Sequence, residues 1–309
     1  MAKAKHKNSF MASSWDTTKE PPTIAPSYIH FEFDTKKLKL PEPVIRLYPL
    51  ACLHIGAPQS DVKFIKKHLK RIFDDPCARW VYCGDGGECV TTLSKGDVYG
   101  QLMSPQLQIE MLVDLLTPIR SKGLFGVRGN HGHRVYKMTG LSFDHTLMSA
   151  LGLPYMGVAT MANLVVNRST YDTYWHHGTD SGVSLRSKIA AAEQFANHKY
   201  VDAIFTAHSH VAMELQPRAA QFCDNRGQKV GTQVIRQYIC GSAYDSRTGY
   251  AEDKGYPALM PSFITVALDG RIVGGFPQKQ QYAQTFYSDG QHVIRHDYLA
   301  EYHNRSGRE

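Results

Sequence analysis

The chain has 309 residues, 42% of them hydrophobic, and a formal net charge of +7. That length suits one large domain or two small ones, with enough apolar material for a sizeable core. No run of about 18 apolar residues exists, which argues against a membrane-spanning helix, and the basic balance favours polyanionic partners.

Residues 1–27 read as an extended basic arm, opened by Lys3, Lys5 and Lys7 and closed by Pro21, Pro22 and Pro26; such a composition orders poorly by itself. The arm lacks the apolar stretch of a secretory leader. The six cysteines, Cys52, Cys77, Cys83, Cys89, Cys223 and Cys240, contain no C-x-x-C pair. Reduced thiols in a cytoplasmic chain are therefore expected.

Ile29, Phe31 and Phe33 alternate in the next segment, the pattern of an edge strand over Tyr28–Leu40. Val44–Leu53 reads as a buried strand ending at Cys52-Leu53-His54-Ile55-Gly56. Ser60 then caps a helix over Asp61–Phe73, with Val62, Ile65, Leu69, Ile72 and Phe73 as its apolar stripe and four lysines opposite. A second strand, Arg79–Cys83, runs into Gly84-Asp85-Gly86-Gly87. The loop after it is about twenty residues, long enough to suggest a function. Ser104-Pro105 opens a helix reaching about Arg120, kinked or stopped near Pro118.

The third strand, Leu124–Val127, ends at Arg128-Gly129-Asn130-His131. Helical character returns at Phe143–Leu151. Ala162–Val166 and Tyr171–Trp175 form a hairpin or meander, the second strand ending at His176-His177-Gly178. An Ala-rich helix over Ser184–Asn197 precedes a strand, Ala203–Thr206, ending at Ala207-His208-Ser209-His210. Further strands are expected near Val211–Leu215, Val234–Ile239, Phe263–Leu268 and Arg271–Val273. The pattern predicts an α/β fold, two packed sheets with helices outside, in one domain over 28–275. Residues 276–309 stand as a C-terminal extension.

Five strand ends thus carry Cys52 and His54, Asp85, Asn130 and His131, His177, and His208 and His210. In α/β sheets, ligands bind at the carboxyl ends of strands. Imidazole, carboxylate, amide oxygen and thiolate are donors for transition metals. Two divalent ions about 3.5–4 Å apart form a clamp for in-line displacement at phosphorus. Such a pair needs an anionic bridge, and Asp85 is the obvious candidate. Each residue alone has a plainer reading: Gly-Asp-Gly makes ordinary turns, and Asn130 tolerates a left-handed turn position.

Taken in order, x-x-His-x-Gly, Gly-Asp, Gly-Asn-His, His-Gly and x-His-x-His resemble the calcineurin-like metallophosphoesterase family over Cys52–His210. The resemblance implies a four-layer sandwich of two mixed β-sheets flanked by helices. It also implies a hydrolase with two divalent ions. One ion would be held by His54, Asp85 and His210, the other by Asp85, Asn130, His177 and His208. A hydroxide between the ions would attack phosphorus, and His131 would steady the phosphoryl oxygens or protonate the leaving group.

Two positions depart from the family pattern. Cys52 stands where the family has Asp; it either ligates, shifting preference from Mn toward Zn or Fe, or is a bystander. Gly132 stands where an acid usually orients the catalytic His. Arg128 and His133 lie close enough in sequence to touch substrate phosphate, with a plain surface role as the alternative. The expected substrate is a phosphodiester, foremost in nucleic acid. The alternatives are a small-molecule phosphomonoesterase, a nucleotide phosphodiesterase, or a catalytically weakened scaffold member.

Overall fold

The computed structural model describes residues 28–92, 94, 98–179, 182–198, 200–223, 226–290 and 294–295. The basic arm over 1–27 lies outside these residues.

β2 (Val44–Leu50), β3 (Ala78–Tyr82) and β4 (Gly123–Gly126) pair in parallel behind β1 (Tyr28–Phe33) in the chain. The connections are α1 (Val62–Asp74) and α2 (Pro105–Leu116). Parallel neighbours require such crossovers, so the carboxyl ends of β2, β3 and β4 lie along one edge. β2 and β3 are buried on both faces. Ile45, Leu47 and Val81 point to one apolar cluster, while Tyr48, Leu50, Trp80 and Tyr82 point to another that also contains α1 and α2 residues. This alternation places one face of the sheet against a second sheet and the other against helices.

After α3 (Asn130–Thr139) and α4 (Phe143–Ala150), the chain forms the antiparallel pair β5 (Ala159–Val166) and β6 (Ser169–His176). β1 adds to β5 in parallel. α5 (Leu185–Glu193) then leads to β7 (Ala203–Thr206), parallel to β6. β8 (Ala212–Glu214) and β9 (Arg218–Cys223) flank the long β10 (Lys229–Ser242), which is parallel to β7. The short α6 (Tyr250–Asp253) precedes β11 (Ser262–Asp269), which is antiparallel to β2. The two-residue strands β12 (Ile272–Val273) and β13 (Phe276–Pro277) pair with each other. β14 (Gln281–Tyr287) pairs with β11 over Ser262–Leu268 and carries β15 (Ile294–Arg295), so the sheet runs on past residue 275.

The central apolar cluster draws on β1 to β7, β10 and β11. Helices α1 to α4 cover one outer face, and α5 covers the other. The result is the four-layer α/β sandwich of two mixed sheets. The sheets are not separate, however: β10 pairs with β11 at Gly241 and Ser242, giving one continuous hydrogen-bonded path. Gly241 permits this corner. Its φ is 89°, and a Cβ there would lie 2.0 Å from the Ser262 carbonyl oxygen.

Several local expectations shift. Asp61, not Ser60, caps α1 by accepting from the Phe64 amide at 2.9 Å. The Ser60 hydroxyl instead donates to the Leu53 carbonyl. The buried face of α1 is Phe64, Ile65, His68, Leu69 and Ile72, while Phe73 is exposed. α2 starts at Pro105 with Ser104 as its cap and gives way at Thr117 to a 3-10 turn that contains Pro118. α3, which has no apolar stripe in sequence, ends at Gly140 in a left-handed conformation. Among the described residues, no helix is long and apolar enough to cross a membrane.

Candidate metal centre

The ends of β2, β3, β4, β6 and β7 meet at one edge. Gly84 and Gly129 allow the approach. A Cβ on Gly84 would lie 2.6 Å from the Gly129 nitrogen, and one on Gly129 would lie 2.2 Å from the Asp85 nitrogen. Cys52 and His54 are tied to the Asp85 turn through amide bonds to the carbonyls of Gly84 (3.0 Å) and Asp85 (3.1 Å).

Among the described residues, the non-glycine positions with positive φ are Lys39, Cys52, His54, Asp85, Cys89, Asn167, His208 and His210. Most of them are candidate ligands. A left-handed conformation costs an L-residue about 1–2 kcal/mol, and it persists where surrounding structure imposes it. Its concentration here marks a site whose side-chain directions override local preference.

Three donor sets overlap. Cys52, His54 and His210 form one; Cys52, Asp85 and His177 another; His54, Asp85 and His131 a third, with the donor atoms of each within 4.8 Å of one another. The protonation pattern can be read from the partners. His177 Nδ1 faces the Cys83 carbonyl at 2.7 Å and must donate to it. Its Nε2 then points at Asp85 Oδ2 (2.8 Å) and Asn130 Oδ1 (3.0 Å). Three lone pairs converge unless a proton or a cation lies between them. Asp85 Oδ2 is buried and has no well-formed hydrogen bond, although the ion-pair distance to His177 is short; the geometry of a shared cation explains both facts. A proton on His177 Nε2 would serve the same purpose in the metal-free chain, and the charges around it favour one. Burial raises the Asp85 pKa, but His177, His131 and His54 outweigh it and hold the carboxyl well below its usual range. Burial lowers the His177 pKa, yet the Asp85 charge raises it overall.

At the other side, His54 Nδ1 donates to Glu88 Oε2 at 2.8 Å, leaving Nε2 opposite His210 Nε2 at 3.0 Å. Such outer hydrogen bonds fix the tautomer and aim of a metal-binding imidazole. Burial holds His210 well below the usual histidine range, so it is neutral and able to ligate. Burial, with the Asp85 charge added, pushes the Cys52 thiol well up; it becomes a ligand only when a cation displaces that proton to solvent. This donor set of N, O and S atoms fits divalent transition ions.

His131 lies beside Asp85, its Nε2 4.0 Å from Oδ2 and its amide donating to Oδ1 at 2.8 Å. Its Nδ1 donates to the Glu88 carbonyl at 2.7 Å, and the Glu88 carboxylate is 3.6 Å from that nitrogen. Glu88 therefore orients His131, a role for which Gly132 left no residue in the sequence. Arg134 lies over the His131 ring, 3.2 Å from each ring nitrogen. Burial lowers the His131 pKa to about 4, against the pull of Asp85.

His208 is half-buried beside His177, ring centroids 5.3 Å apart, and belongs to none of the three donor sets. His133 stacks on Tyr136 at 5.4 Å; burial and the charges of Arg128 and Lys137 lower its pKa. The sequence reading missed Glu88, Arg134, Asp144, Lys188 and Tyr244. Lys188, on α5, donates to the Ser209 carbonyl at 3.0 Å between the two left-handed histidines. The Tyr244 ring lies 5.3 Å from that of His54. Only Glu88, three residues after Asp85, and Arg134, one helical turn after His131, had a signal in their spacing.

No protein-family model and no curated protein matches the chain. Among solved structures, the chain is similar to the calcineurin-like phosphoesterase YfkN from Bacillus subtilis. The identity is 11% over 80% of this chain and 91% of that one, with a TM-score of 0.38. It is also similar to Vacuolar Protein Sorting 29 from Cryptosporidium parvum, at 14% identity over 79% and 98% of the chains and a TM-score of 0.35. The NAD nucleotidase NadN of Haemophilus influenzae aligns at 9% identity over 80% of this chain and 53% of that one, with a TM-score of 0.32. At such values the reading of the site rests on this chain's own residues.

Proposed function

We propose that the chain is a divalent-metal-dependent phosphoesterase of the calcineurin-like kind, acting on phosphodiesters and foremost on nucleic acid. The observation that carries the reading is the convergence of Asp85 Oδ2, His177 Nε2 and Asn130 Oδ1 at 2.8–3.0 Å beside a second set of Cys52, His54 and His210. Asp85 belongs to two of the donor sets and is the anion suited to lie between two ions. When bound, divalent ions supply Lewis acidity and charge neutralisation at phosphorus. Manganese suits the imidazole, carboxylate and amide donors; Cys52 favours zinc or iron if its thiolate takes part.

The remaining chemistry belongs to the protein. With Nδ1 committed to Glu88, His131 takes or returns a proton at Nε2, and its neutral state at ordinary pH makes it an acceptor first. The Arg134 guanidinium, already against that imidazole, is placed to move onto a phosphoryl oxygen with the bidentate geometry that anions favour. The net charge of +7 supports a polyanionic substrate.

Metal content of the purified chain, followed by hydrolysis of bis-p-nitrophenyl phosphate, p-nitrophenyl phosphate and single- and double-stranded DNA with Mn or Zn, tests this reading. Bound metal and diester cleavage that Asp85→Asn abolishes are expected. Cleavage of the monoester alone would move the assignment to a phosphomonoesterase. No cleavage of any substrate, with Asp85→Asn indistinguishable from the parent chain, would overturn the enzymatic reading.

A further inference from the structure

Position 132 has no room for a side chain. A Cβ on Gly132 would lie 2.6 Å from Asp144 Oδ2. Asp144 comes from the first turn of α4 and is 1% exposed. Its Oδ1 accepts from the Tyr82 hydroxyl at 2.6 Å, and its Oδ2 accepts from the Gly129 amide at 3.3 Å. The Tyr82 hydroxyl in turn accepts from the Gly86 amide at 2.8 Å. One buried carboxylate therefore ties the turn that presents Asp85 to the turn that presents Asn130.

We infer that Asp144 is a positioning residue for the Asp85–Asn130–His177 half of the site, an inference that shares the metal reading above only for its metal-binding readout. In its ionised form, which burial confines to above about pH 7, Asp144 accepts a hydrogen bond through each oxygen, one from each turn. An amide in its place keeps the Gly129 link through its oxygen but reverses the Tyr82 link, its N–H then pointing at a hydroxyl oxygen that already accepts from the Gly86 amide, so that link weakens. The separations it governs are the 2.8 and 3.0 Å spacings around His177 Nε2. The Cys52 and His54 turn hangs on the same Asp85 turn through the Gly84 and Asp85 carbonyls, whereas the His208–His210 loop is held from α5 by Lys188. Loss of Asp144 should therefore loosen the Asp85 and Asn130 turns and spare the His208–His210 loop, which a general loss of stability would not do.

Three variants test this: Asp144→Asn, Asp144→Ala, and Gly132→Asp combined with Asp144→Ala, which moves the carboxylate to the neighbouring position. Amide hydrogen exchange is measured on the full metal-free chain, and Co(II) affinity by calorimetry. In Asp144→Asn, segments 83–90 and 127–133 should exchange about tenfold faster while 207–211 stays unchanged. Co(II) affinity should fall by about 10–100-fold. The combined variant should recover most of the protection lost in Asp144→Ala. Unchanged exchange in the first two segments, or an equal rise in all three, overturns the inference, as does a combined variant no better protected than Asp144→Ala. If Asp144→Ala does not fold, the nearly isosteric Asp144→Asn still decides. A parent chain that binds no Co(II) counts against the metal reading, and the exchange result then decides the role of Asp144 without it.

Discussion

His68 lies on the inner face of α1, wholly buried, and neither ring nitrogen has a hydrogen-bond partner. Its ring is surrounded by those of Phe263 (4.6 Å), Tyr48 (5.5 Å), Phe286 (6.0 Å) and Phe64 (6.2 Å). Burial, with the Arg71 charge added, lowers its pKa from 6.5 to about 3. A base with a depressed folded pKa contributes its full stability above the unfolded value and loses it as pH falls toward the folded one. Protons then bind the unfolded chain preferentially, between about pH 6.5 and 3. From about pH 7.5 to about pH 4.5 this single group removes on the order of 3 kcal/mol of stability. His68→Phe deletes the titration and removes the unsatisfied nitrogens, a gain of about 1 kcal/mol already at neutral pH. Urea unfolding of the metal-free chains at the two pH values should show a gap that widens by on the order of 3 kcal/mol in acid. If the two proteins lose stability in parallel on acidification, the buried neutral imidazole is not what limits the chain, and the reasoning fails.

Asp85→Asn should abolish metal binding and also lower the stability of the metal-free chain, because His177, His131 and His54 favour the ionised carboxylate in the folded state; thermal unfolding in EDTA checks the sign. Glu88→Gln should weaken metal affinity by about 10–100-fold through misdirection of His54, and it should shift the acid limb of the pH–rate profile through His131. Gly129→Ala places a Cβ 2.2 Å from the Asp85 nitrogen and should cost about 3 kcal/mol, with the loss of metal binding larger than the loss of stability predicts. In Lys188→Met, the loop between His208 and His210 should lose protection from hydrogen exchange while β10 keeps its own.

The sequence by itself determined where the strands end and which donor types stand there. Apolar runs such as Val44–Leu50 are long enough to be buried on both faces, and His, Asp and Asn immediately after a buried strand must lie at a sheet edge. The parallel order of β2, β3 and β4 then follows from the helices between them. Only the tertiary structure decided how the two sheets join, because the β10–β11 corner depends on the room beside Gly241, not on any periodicity. It also decided how the ligands are supported. Asp144 reaches Gly129 and Tyr82 from another helix, and Lys188 reaches Ser209 from the opposite layer. Hydrogen bonds between distant segments leave no spacing pattern in a single chain. For the same reason Gly132 reads in sequence as a missing acid, whereas in the fold its empty side-chain position is the space that the Asp144 carboxylate occupies.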